Sequence, residues 1–145
     1  CRMFGIIVGT HGKFSEEIIK SCEMICGPQA NVRAVTLVPG EGPDDMAKKY
    51  EAAIAELDCA DGVLFLNDLF GGSPYNAACR LAASNETYGV VAGLSLPMLI
   101  EMVSAQLTGG PYEILALMER AAEAGRSGTQ LFHASRMEEE ADDDL

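Results

Sequence analysis

Apolar residues cluster along the chain in two alternating textures. Met3 to Val8 is a short, nearly unbroken apolar run, as is Gly62 to Leu66, and both suit strands buried on both faces of a parallel sheet. Between them Phe14, Ile18, Ile19, Cys22 and Ile25 fall at helical spacing, with Glu16, Glu17, Lys20 and Glu23 filling the other positions. This predicts an amphipathic helix over Phe14 to Ile25, closed by Gly27-Pro28. Val32 to Val38 reads as a second strand and Pro43 to Leu57 as a second helix. After the third strand a turn-rich stretch, Asn67 to Pro74, leads into a helix over Pro74 to Ser84, with Ser73 as N-cap. Tyr88 to Ala92 is a fourth strand, and Pro97 to Ala105 and Pro111 to Ala124 are further helices. Thr129 to His133 reads as a short last strand, reached through a flexible Gly125-Arg126-Ser127-Gly128 joint. The expected fold is a three-layer α/β/α domain: a mainly parallel sheet of four strands plus a short antiparallel C-terminal strand.

The 145 residues suffice for one domain, expected over residues 1–135, followed by an acidic tail over 136–145. Net charge is −12, of which the last ten residues contribute six acids and one base. With that charge and no Trp, nucleic acid and anionic membranes are excluded as electrostatic partners. The longest uncharged stretch, Thr87 to Ile100, is too short and too broken by Gly and Pro to span a bilayer. No signal peptide is recognisable, so the expected location is the cytoplasm. Five cysteines without a CxxC pair fit neither a disulfide framework nor a zinc site, and no metal or cofactor is expected. Cys22 and Cys26 read as core packing, and His133 as structural or exposed.

In open α/β sheets reactive groups collect beyond the carboxyl ends of the strands, where strand order reverses. With strand one beside strand three, the loop carrying His11 and the loop carrying Asp68 flank one crevice. A neutral imidazole is nucleophilic enough to take a group covalently, and a carboxylate on Nδ1 would leave Nε2 free to attack. Gly71 and Gly72 permit close backbone approach, and the helix start at Ser73 offers N–H groups to phosphate oxygens. His11, Asp68, Gly71, Gly72 and Ser73 together suit a phosphoryl group held on histidine. Competing motifs fail on spelling: Gly9-Thr10-His11-Gly12 lacks GxGxxG spacing, and Gly12-Lys13-Phe14 lacks the Ser/Thr of a Walker loop. A serine hydrolase using Ser73, His11 and Asp68 stays open, although Tyr75 stands where a nucleophile elbow has its second glycine.

Three spaced segments, Gly5 to Gly12, Val63 to Ala78 and Gly93 to Leu99, together resemble the IIA component of the mannose-family sugar phosphotransferase system, a likeness running from about Met3 to Phe132. The resemblance implies that His11 accepts phosphate from the phosphocarrier HPr and passes it to a IIB component, which phosphorylates sugar entering through membrane IIC and IID components. It implies that Asp68 hydrogen-bonds the histidine, that Gly71 to Pro74 is the family's glycine-rich turn, and that a homodimer forms by exchange of the strand Thr129 to His133. IIB is expected on a separate polypeptide. Two other readings share these residues: a IIA-like phosphotransferase subunit of a dihydroxyacetone kinase, and a regulatory module sensed through its phosphorylation state.

Overall fold

A computed structural model describes residues 2–136; the acidic tail expected over residues 136–145 lies, after its first residue, outside the described residues. Four strands, β1 (Gly5–His11), β2 (Val32–Leu37), β3 (Val63–Asn67) and β4 (Tyr88–Ala92), form one parallel sheet in the order β2-β1-β3-β4. Five helices connect or follow them: α1 (Phe14–Cys26), α2 (Pro43–Ala55), α3 (Ser73–Ala82), α4 (Leu96–Thr108) and α5 (Ile114–Ser127). The apolar runs are continuous because the sheet is covered on both sides. Ile6, Val8, Leu64, Leu66 and Val91 face one core with Ile18, Cys22, Met98, Leu99 and Leu117 from α1, α4 and α5. Ile7, Val35, Val63 and Phe65 face the other with Met46, Tyr50, Ala77 and Ala78 from α2 and α3. Successive residues of each strand thus serve opposite layers, which is the period of two that a pleated strand imposes. The three-layer expectation holds.

Several boundaries move for identifiable reasons. Strand β1 continues past Val8 because Gly9, Thr10 and His11 stay in register with Val35, Thr36 and Leu37 of β2, so His11 closes a strand instead of sitting in a loop. The buried face of α1 is Ser15, Ile18 and Cys22, leaving Phe14 and Ile25 of the expected apolar stripe exposed. Helix α4 extends to Thr108 and ends at Gly109, whose φ of +86° suits glycine; α5 therefore starts at Ile114.

The expected C-terminal strand is absent among the described residues. Gly125, Arg126 and Ser127 belong to α5, so the expected joint is helical, and Thr129 to His133 forms no regular element before a single 3-10 turn at Ala134–Arg136. Leu131 and Phe132 remain about 70% exposed (69% and 71%), since nothing among the described residues covers them. A five-residue segment with no partner edge has too few hydrogen bonds and too little buried surface to hold itself extended. His133 is exposed, with Nδ1 2.7 Å from Ser135 Oγ.

Candidate functional site

The sheet order places β1 beside β3, with the chain leaving toward β2 on one side and toward β4 on the other. That is the point at which α/β sheets open a crevice at their carboxyl ends. The last residue of β1 is His11, and the residue after β3 is Asp68. Asp68 Oδ2 lies 2.9 Å from His11 Nδ1 and accepts the His11 backbone N–H at 3.1 Å, while Oδ1 accepts the Leu69 N–H at 3.0 Å. The carboxylate is fixed by backbone as well as by the ring. An ionised carboxylate only accepts, so this pair puts the neutral ring's proton on Nδ1 and leaves the Nε2 lone pair free. The Asp68 side chain is 13% exposed and that of His11 46%, so the anchored end of the ring is sheltered and the reactive end open.

The helix start opposite this ring comes from the glycine pair. Gly71 has φ +80°, a left-handed conformation that turns the chain, and its carbonyl accepts the Asn76 side-chain amide at 3.2 Å. Gly72, with φ −78° and ψ 171°, is the N-cap of α3, and Ser73 is its first helical residue, one position later in role than the sequence reading gave it. A glycine cap has no side chain to bond the first turn, and Pro74 brings no N–H; the backbone N–H groups of Ser73 and Tyr75 have no intrahelical acceptor by position. A Cβ on Gly72 would stand 3.0 Å from His11 Cε1 and 3.6 Å from Nε2. The bare helix end and the free ring nitrogen are therefore neighbours, and a dianionic group on Nε2 would sit at the positive end of α3.

Sequence reasoning missed what lies beneath. Asn67, the last residue of β3, and Tyr50 of α2 are both fully buried, and they join through the Asn67 amide, which donates to Tyr50 Oη at 3.0 Å. A polar residue closing the apolar run Val63 to Leu66 was the available signal. At the rim, Leu69 and Phe70 are exposed, and the Phe70 ring lies 5.0 Å from that of Tyr75. Among the described residues no group of three or more His, Cys, Asp or Glu side chains is arranged to hold a metal.

Fold and site together define a doubly wound α/β domain that presents a carboxylate-oriented histidine at the end of its first strand. Residues 5–118 match the family described as "PTS system fructose IIA component". The chain belongs to this family. It is 41% identical over 136 residues to the mannose-specific EIIAB component of Escherichia coli K12, covering 94% of this chain and 42% of that one. It is also 38% identical over 102 residues to the fructose-specific EIIA component of Bacillus subtilis, covering 70% of each. The chain thus spans about two fifths of the length of the mannose-specific relatives. Among solved structures it superposes on phosphotransferase component EIIA from Streptococcus agalactiae with a TM-score of 0.79 at 26% identity, covering 90% of this chain and 98% of that one. The mannose/sorbose-specific IIA subunit from Enterococcus faecalis gives a TM-score of 0.79 at 27% identity, covering 90% and 96%. No helix among the described residues is long and apolar enough to cross a membrane.

Proposed function

We propose that the protein is a phosphocarrier of the sugar phosphotransferase system, accepting a phosphoryl group from HPr on His11 and passing it to a IIB component in the cytoplasm. The observation that carries the reading is the 2.9 Å His11–Asp68 pair set against the uncapped start of α3. The His11 Nε2 lone pair attacks the phosphorus of the donor's phosphohistidine; the new N–P bond forms as the donor's N–P bond breaks, and its electron pair returns to the donor ring. The His11 proton stays on Nδ1, where Asp68 balances the imidazolium that forms. The N–H groups at Ser73 and Tyr75 serve the phosphoryl oxygens, which carry the charge in a loose transition state. Passage to IIB is the same step reversed, with the acceptor on IIB as the nucleophile.

Half exposure of His11 fits a macromolecular donor that brings its own walls to the reaction, and the exposed Leu69 and Phe70 supply apolar rim for such a contact. The relatives' names, mannose, fructose and sorbose components, favour a sugar system over a dihydroxyacetone kinase. The exposed Leu131 and Phe132 support the homodimer, in which a second copy covers the C-terminal segment. Incubation with phosphoenolpyruvate, enzyme I and HPr is expected to give an acid-labile phosphohistidine that His11→Ala lacks. An undiminished label in His11→Ala refutes the assignment.

A further inference from the structure

We propose that Tyr50 and Asn67 are positioning residues for phosphoryl transfer, a buried hydrogen-bonded pair that locks the His11 strand, the Asp68 strand and the start of α3 into one rigid unit. The inference rests on the functional reading above. It begins from a bond set that no packing requirement explains. The Asn67 amide donates twice, to Gly9 O at 2.9 Å and to Tyr50 Oη at 3.0 Å. The Tyr50 hydroxyl in turn donates to Pro74 O at 2.8 Å. Three of the residues so joined belong to different parts of the site: Gly9 lies two residues before His11, Asn67 immediately before Asp68, and Pro74 in the first turn of α3 beside Gly72.

Three further observations make this arrangement specific. Gly9 interrupts an apolar strand because a Cβ there would overlap the Tyr50 hydroxyl and stand 2.8 Å from two ring carbons, so the strand has no side chain where the ring lies. Asn67 Oδ1 is buried with no hydrogen-bond partner among the described residues. Native interiors rarely leave a polar atom in that state, and an apolar residue after Val63, Leu64, Phe65 and Leu66 would avoid it, so the donor half of the amide is what the position requires. Burial pushes the Tyr50 hydroxyl well above the ordinary tyrosine range, so it keeps the proton it donates to Pro74. Neither residue touches the reacting atoms. Their effect is exerted through the spacing between Nε2 and the helix N–H groups, where transfer chemistry tolerates errors of only a fraction of an ångström.

The test is the rate of transfer from phospho-HPr, read by rapid quench across donor concentrations, in the wild-type chain, Tyr50→Phe, Asn67→Leu and Tyr88→Phe. Tyr88 is a second tyrosine on the same core face, its ring 5.9 Å from that of Phe65, and it lies outside the bond set. Tyr50→Phe is expected to lower the saturating rate about 10-fold with KM for HPr unchanged. It is also expected to shift the His11 ring 15N signals, whereas Tyr88→Phe changes neither. Asn67→Leu, which keeps the branched shape and heavy-atom count of the side chain and removes both donations, reaches the same slowing independently. Circular dichroism melts establish that each variant is folded at the assay temperature. A folded Tyr50→Phe or Asn67→Leu that transfers within twofold of wild type overturns the positioning role while leaving the carrier function standing. A wild-type chain that takes no phosphate overturns both.

Discussion

Replacing Gly72 by alanine separates chemistry from stability at one atom. The Cβ added there stands 3.0 Å from His11 Cε1, against an ordinary carbon–carbon separation of about 3.5–4.0 Å, so the ring or the helix start must give by roughly half an ångström. If the ring moves, its 2.9 Å bond to Asp68 lengthens toward the limit of hydrogen-bond range. If the helix start moves, its N–H groups retreat from Nε2. A misplacement of that size is expected to slow transfer between about 10- and 100-fold, or ~1.4–2.8 kcal/mol of barrier. The backbone does not resist the change, because φ −78° and ψ 171° are open to any residue. Lower entropy of the unfolded chain favours alanine by ~0.4–1 kcal/mol, and the poorer N-cap costs a similar ~1 kcal/mol. The melting temperature is therefore expected to change by less than about 4 °C. Gly40→Ala supplies the opposite case: with φ +91° and open space around it, the substitution costs about 1–2 kcal/mol of strain and roughly 3–8 °C, and leaves transfer alone. Quenched-flow transfer from phospho-HPr and thermal melts on the two variants give the comparison. A Gly72→Ala protein that takes phosphate within twofold of the wild-type rate would refute the proximity of helix start and reacting nitrogen.

Asp68→Ala is expected to fold and to slow transfer about 10- to 100-fold in both directions, since the ring loses its orienting acceptor; wild-type rates in both directions sink the orienting role. Truncation after Gly128 is expected to convert the proposed homodimer to monomer by light scattering, and a full-length chain that is monomeric at micromolar concentration contradicts the exchange. Burial, with Cys26 beside it, raises the Cys22 thiol from its ordinary 9.0 to about 11. The folded state then holds a proton that the unfolded state releases, so this group's contribution to stability is intact below pH 9.0 and declines as pH rises toward about 11. Denaturant titrations across that window are expected to show a shallower decline for Cys22→Ala than for the wild-type chain; equal slopes count against the shift.

The α/β alternation was legible because a parallel sheet covered on both faces writes itself as unbroken apolar runs, as in Met3 to Val8 and Gly62 to Leu66. His11 and Asp68 were legible because strand order alone puts the ends of β1 and β3 side by side. The end of β1 was not, since Gly9 and Gly12 read as turn formers. Gly9 instead makes room for a ring forty-one positions away in the chain, a fact about packing that no local pattern carries. Tyr50 was invisible for the same reason: at its position in α2 a helical stripe predicts burial and says nothing of a hydroxyl reaching Pro74. The expected C-terminal strand is not formed among the described residues. Thr129 to His133 has strand-forming residues, but strand structure is a property of a pair, and among the described residues that segment has no partner edge.

These differences share a cause that bears on how the site works. Local pattern reports which residues are buried, whereas the site depends on where buried polar atoms meet. Below His11 the described polar groups are tied down, Asn67 Oδ1 alone excepted: Asp68 to two backbone amides and the ring, the Asn67 amide nitrogen to Gly9 and Tyr50, and Tyr50 to Pro74. Above it Nε2 and the helix start face outward, beside exposed Leu69 and Phe70. The proposed carrier function, in which the same group is received and given away, gives a reason for this division. Rigidity below keeps the nitrogen and the helix N–H groups in register in both directions, so neither the free nor the phosphorylated state has to reorganise. Under that proposal, openness above leaves water exclusion to the docked partner, so the reactive bond is sheltered only while a partner is present to take or supply the phosphoryl group.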